Sequence, residues 1–129
     1  MATTGKRILL VEDDRFLRRA CEASLRQRGF TVVTAGDGEE ALRLVKDERP
    51  DLILLDMLMP KLSGIDVLRA LRGDATTRDI RVLVLSNSSR EQDMAEVKKL
   101  GVVGYFVKAD LSLKDLGDKV TRLLEGWQA

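Results

Sequence analysis

The chain has 129 residues, 44% apolar and 33% charged, with 22 lysines and arginines against 21 acids and a formal net charge of +1. A single domain of this length buries about 68% of its unfolded surface, and the balanced charge argues against a general nucleic-acid or membrane-surface binder. The sequence has no histidine, which excludes histidine catalysis and histidine metal ligation, so any phosphohistidine must come from a partner.

The lone Cys21 cannot form an intramolecular disulfide, which fits a reducing, cytoplasmic setting. No apolar run approaches the ~20 residues of a membrane span, and the N-terminal MATTGKR lacks the apolar core of a signal peptide.

From the N-terminus, RILLV (7–11) is an apolar run of strand length. A helical stripe follows, made of Phe16, Leu17, Ala20, Cys21, Ser24 and Leu25 and ended by Gly29. TVVTA (31–35) reads as a second strand, and Ala41, Leu42 and Val45 as a second helix opened by Asp37, with Glu40 at capping-box spacing. LILL (52–55) precedes a third stripe of Val67, Leu68 and Leu71, closed by Gly73. RVLVLS (81–86) precedes a fourth, with Met94, Val97 and Leu100 between Ser88 and Gly101. GYFVK (104–108) precedes the last, with Leu113, Leu116, Val120, Leu123 and Leu124 behind a cap at Ser112. Most of the strands lack polar alternation, as parallel strands covered on both faces do. Strand–helix units in series predict an α/β fold, a parallel sheet with helices on both sides. The chain reads as a single domain over 1–129 with its core at about 6–124.

In such sheets the ligand crevice lies beyond the carboxyl ends of the strands. Those ends carry Glu12, Asp13 and Asp14, then Asp56, then Ser86 and Asn87, then Lys108. Each has an ordinary reading alone; an EDD run suits a helix N-terminus, and a lysine suits a solvated surface. Four strand ends bearing complementary polar chemistry point instead to a site. Crowded carboxylates call for a hard divalent cation, and oxygen-only ligation favours Mg2+. Beside that metal, Asp56 is placed as a nucleophile toward a phosphoryl group. Lys108 can meet one phosphate oxygen as a point charge, and the Ser86 hydroxyl another.

The stretches ILLVEDD, LILLDMLMPKLSG, VLVLSN and GYFVKADLS resemble, in order and spacing, the motifs of the receiver domain of two-component response regulators. The resemblance implies a flavodoxin-like doubly wound sheet of strand order 2-1-3-4-5 with five helices. It implies a signalling switch rather than a conventional enzyme, at most catalysing its own phosphorylation and dephosphorylation. Phosphate would pass to Asp56 from a sensor histidine kinase or phosphotransfer protein, with Mg2+ as cofactor. Carried over by position, Asp13 ligates the metal directly, Glu12 acts through water, and Leu58 offers its backbone carbonyl. Ser86 and Tyr105 match the switch pair, Asn87 flanks the phosphate, and Lys108 matches the family's lysine. A downstream protein target would meet the face formed by the fourth helix, fifth strand and fifth helix. The domain itself would touch neither nucleic acid nor membrane.

Asp14 reads as a first-turn helix acid, and Pro60 and Gly64 as turn residues after the acceptor. Two positions depart from the family: Asn87 stands where a small residue is usual, and Ala109 where proline is usual. With alanine there, a trans Lys108–Ala109 bond is predicted.

Three other readings fit less well. An aspartyl phosphatase would need an acid at the position of Leu58, and a nucleotide-binding module would need a glycine-rich loop after the first strand. A phosphate-independent interaction module draws only on Asn87 and Ala109. No output segment is recognisable after LLEGWQA, so a stand-alone receiver and a fragment of a longer regulator or hybrid kinase both remain open.

Overall fold

The computed structural model describes residues 5–59, 61–86, 91–108 and 112–125, without the side chains of residues 91–94. Chain order is β1 (Arg7–Val11), α1 (Arg15–Gln27), β2 (Thr31–Ala35), α2 (Gly38–Glu48), β3 (Leu52–Asp56), α3 (Gly64–Arg72), β4 (Arg81–Ser86), α4 (Glu91–Lys99), β5 (Gly104–Val107) and α5 (Leu113–Glu125). The five strands form one parallel sheet of order β2-β1-β3-β4-β5.

Alternate residues of each strand feed two cores. Leu9, Val11, Ile53, Leu55, Val82 and Val84 pack with Ala41 and Val45 of α2, Val67, Leu68 and Leu71 of α3 and Val97 of α4. Ile8, Leu10, Leu52, Leu54, Leu83 and Leu85 pack on the other face with Cys21 and Leu25 of α1 and Leu116, Val120 and Leu124 of α5. Both faces are covered, which is why the central strands lack polar alternation.

Local chemistry sets the helix ends. Asp37 accepts from the Glu40 N–H at 2.9 Å, but Glu40 Oε1 reaches back to the N–H of Gly36 at 2.8 Å. The expected capping box is therefore displaced by one residue. A full box forms where none was foreseen, between Ser63 and Asp66 at the start of α3. Ser112 caps α5 by accepting from the Asp115 N–H at 3.0 Å. Gly29 (φ 95°) and Gly101 (φ 74°) follow α1 and α4 in the left-handed conformation that ends helices.

Two expected stripe members need correction: Leu113, at the first position of α5, is exposed, and Phe16 is 84% exposed rather than part of the buried stripe of α1. Phe16 shows why. It precedes Cys21 by five residues, which at about 100° per residue places it about 140° around the helix from the buried face. The readings that rest on Pro60, Asn87, Ser88, the Met94 side chain and Ala109 lie outside the described residues.

Arg72 ties three segments together. Its Nε donates to the Leu100 carbonyl at 2.7 Å and Nη2 to the Gly101 carbonyl at 2.8 Å. Nη1 donates to the carbonyls of Arg78 at 3.0 Å and Ile80 at 2.9 Å. The C-terminal end of α4 and the loop before β4 are thus held on α3, and an Arg69–Glu96 ion pair adds a second tie between α3 and α4. Replacing Arg72 by methionine keeps the stem but removes a charged donor from these carbonyls, so urea unfolding should show a loss of at least about 2 kcal/mol. Arg72→Lys should recover only part of it, because an ammonium lacks the planar fork.

Gly64 is fixed by space: a Cβ there would lie 2.6 Å from Met57 Cα, and the Gly64 N–H donates to the Met57 carbonyl at 3.1 Å. Gly64→Ala should cost about 1–3 kcal/mol in the same experiment, because backbone rather than a flexible side chain must give way.

Candidate functional site

The site lies where the chain direction divides the two inner strands. After β1 the chain turns to α1 on one face, and after β3 it turns to α3 on the other, leaving a crevice at the carboxyl edge between them. Val11 pairs with Leu55, so the next residues, Glu12 and Asp56, emerge side by side. Carboxylate oxygens of Glu12, Asp13 and Asp56 all lie within 4.8 Å of one another. Glu12 and Asp56 are 0% and 1% exposed, whereas Asp13 faces solvent.

Lys108, arriving from the end of β5, joins two of these acids. Its Nζ is 2.7 Å from Glu12 Oε1 and 3.1 Å from Asp56 Oδ1. The contact with Glu12 is close but lacks the alignment of a good hydrogen bond. Burial alone would depress the lysine's pKa, but the two carboxylates outweigh it and the net direction is upward, so the side chain stays a cation.

Asp56 is pushed the other way, to about 7: burial penalises its charge, the Glu12 carboxyl beside it adds to the rise, and the Leu58 N–H and Lys108 offset part of it. Its Oδ1 accepts from the Leu58 N–H at 3.1 Å, whereas its buried Oδ2 has no hydrogen-bond partner among the described residues. A buried carboxylate oxygen without a donor is costly in isolation and suited to an incoming cation or phosphoryl group.

The remaining candidates fall around this centre. Asp14 stands apart from it at the start of α1, as the N-cap rather than the expected first-turn acid, accepting from the Phe16 and Leu17 N–H groups at 2.9 and 3.1 Å. Ser86 ends β4 and is 4% exposed; Leu85, just before it, is the register partner of Asp56. Tyr105 pairs with Val84 and packs, half-buried, against the core under α2, α3 and α4. Leu58 is 62% exposed at the mouth, and the contact seen from its backbone is through N–H. The Cys21 thiol is pushed up to about 11, chiefly by burial, so it is no nucleophile at neutral pH.

Two supports escaped sequence reasoning. Arg18 Nη1 donates to the Glu12 carbonyl at 2.9 Å. Lys61, at φ 69° in the loop after Asp56, reaches Asp37 Oδ2 at 3.5 Å. Neither carries a local sequence signal, because each depends on which loops the sheet brings together.

The sequence matches the response regulator receiver domain family over residues 8–121. It is 42% identical over 121 residues to the transcriptional regulatory protein PrrA of Mycobacterium tuberculosis, covering 94% of this chain and 51% of that protein. It is 35% identical over 120 residues to the alkaline phosphatase synthesis transcriptional regulatory protein PhoP of Bacillus subtilis, covering 93% and 49%. The chain thus spans about half the length of the curated relatives it matches. Among solved structures, the phosphorylated cyanobacterial phytochrome response regulator RcpA superposes with a TM-score of 0.80 at 36% identity, over 96% of this chain and 94% of that one. The chemotaxis protein CheY4 of Vibrio cholerae does so with a TM-score of 0.84 at 28% identity, over 91% and 97%. The flavodoxin-like fold, the strand order and the sequence match agree: this chain belongs to the receiver domain family of two-component response regulators.

Proposed function

We propose that this domain is a phosphorylation-driven switch in which Asp56 takes a phosphoryl group from the phosphohistidine of a sensor kinase or phosphotransfer protein. The observation that carries this reading is the state of Asp56: a buried carboxylate with Oδ1 held by Lys108 and the Leu58 N–H, and Oδ2 without a donor among the described residues. In the transfer, an Asp56 oxygen attacks phosphorus, the P–N bond breaks, and the partner's imidazole leaves with its proton. Since this chain has no histidine, the donor must belong to another molecule or be a small phosphodonor.

The donor set fits Mg2+: oxygen ligands only, three carboxylates within reach of one another, and an orphaned buried oxygen among them. Asp13 and Asp56 would ligate it directly, Glu12 through water, and Leu58 through its carbonyl. When bound, Mg2+ neutralises phosphoryl oxygens and orients them toward the acceptor. The chain's own residues do the rest. Lys108 holds Asp56 before transfer and moves its charge to a phosphate oxygen afterwards, while Ser86 donates its hydroxyl to another. Drawing Ser86 inward and turning Tyr105 would bias the face of α4, β5 and α5, to which a downstream protein binds. This is switch behaviour with at most self-directed catalysis, and it belongs to the cytoplasm, where kinases supply the phosphate. Among the described residues no helix is long and apolar enough to cross a membrane.

Incubation with Mg2+ and a small phosphodonor such as acetyl phosphate should add one acid-stable, base-labile phosphate, read by intact-mass spectrometry. Asp56→Asn should abolish it, and withholding the metal should nearly do so, since the bare carboxylates repel the donor. Equal labelling of the Asp56→Asn protein would show that the acceptor lies elsewhere.

A further inference from the structure

We propose that Arg18 is a positioning residue for the divalent-cation site, an inference that rests on the reading of that site given above. Its support lies in how Asp13 is held. The Asp13 carboxylate is exposed, and no hydrogen bond or ion pair to its side chain is present among the described residues. Its backbone therefore sets where the carboxylate starts, and no side-chain partner among the described residues adds to that.

Both peptide units flanking Asp13 are pinned through Glu12. The peptide after Asp13 donates its N–H, that of Asp14, to Glu12 Oε2 at 3.0 Å. The peptide before Asp13 contains the Glu12 carbonyl, and Arg18 Nη1 donates to it at 2.9 Å. Glu12 is itself fixed, with its N–H on the Ala35 carbonyl at 3.0 Å and its Oε1 on Lys108 at 2.7 Å. Arg18 thus completes a frame that holds the main chain on both sides of the one exposed carboxylate of the cluster.

The same guanidinium nitrogen lies against the loop after β2. A Cβ at Gly36 would lie 3.0 Å from Nη1, so the glycine leaves just the space the arginine fills. The Gly36 N–H is bound by Glu40 Oε1 at 2.8 Å, which keeps that loop in place. Arg18 links the loop after β1 to the loop after β2, and it meets the site through the Glu12 carbonyl.

Charge and position make opposite predictions. Removing a cation near an acidic site strengthens cation binding if only charge matters. Removing a positioning group weakens it, typically by 10–100-fold for partners that orient metal ligands.

Isothermal titration of MgCl2 into the phosphate-free protein separates these outcomes, with urea unfolding run on the same samples. Wild type should bind one Mg2+, Arg18→Met should bind at least about 10-fold more weakly, and Arg18→Lys should recover part of the loss. Should Arg18→Met fail to fold, Arg18→Lys carries the test, because it keeps the charge but loses the planar fork, and should still bind Mg2+ several-fold more weakly than wild type. Unchanged or tighter binding by a folded Arg18→Met protein, even a less stable one, would overturn the inference and leave the site's reading intact. Absence of Mg2+ binding by wild type would overturn that reading and this inference with it.

Discussion

Everything at the carboxyl edge of this sheet depends on one ammonium facing two carboxylates. Lys108 stands within ion-pair distance of both Glu12 and Asp56. At an effective dielectric near 20, each such pair at these separations corresponds to about 5–6 kcal/mol of Coulomb attraction before desolvation, and like charges repel on the same scale. With all groups ionised, the three carboxylates exceed the one ammonium by two negative charges, the complement of a divalent cation. The fold therefore holds a charge deficit that its own side chains do not cancel, and the rise of the Asp56 pKa records that deficit together with the cost of burial.

The topology makes this concentration possible. Reversal of strand order between β1 and β3 opens a crevice there, because the chain leaves β1 toward β2 over one face and leaves β3 toward β4 over the other. Register then sets the spacing, since Val11 opposite Leu55 brings Glu12 beside Asp56. Lys108 enters from the edge strand two positions away, long enough in the stem to span β4. Gly64 lets α3 start directly against the backbone of Asp56 and Met57, so the acceptor's own loop is packed rather than free.

Much of this was legible in the sequence, and for identifiable reasons. Continuous apolar runs of strand length alternating with helical stripes specify a parallel sheet covered on both faces, and the strand limits agree to within a residue. Polar residues at strand ends stand out because burial there is otherwise unfavourable, which drew attention to Glu12, Asp56, Ser86 and Lys108. What stayed hidden depends on tertiary placement. Phe16 satisfied a helical spacing by eye but lies on the far side of α1 from the core. Arg18 and Arg72 look like ordinary helix-surface cations until the fold puts backbone carbonyls in front of them. The displaced cap at Glu40 needed the position of Gly36, which no local rule provides.

The central claim, that Asp56 is held ionised only at a cost to the fold, is tested most directly by stability against pH. Metal-free wild type and Asp56→Asn should be unfolded in urea at several values from pH 4 to pH 8. The folded-state pKa of Asp56 is raised from 3.8 to about 7, so between those values the unfolded chain releases a proton that the native chain keeps. Its contribution to stability is present below about pH 4, falls as pH rises toward 7, and stays lost above. Asp56→Asn should gain stability relative to wild type across that window and be the more stable protein at pH 8. A difference between the two that does not change with pH, or a wild type more stable at pH 8, would contradict the central claim.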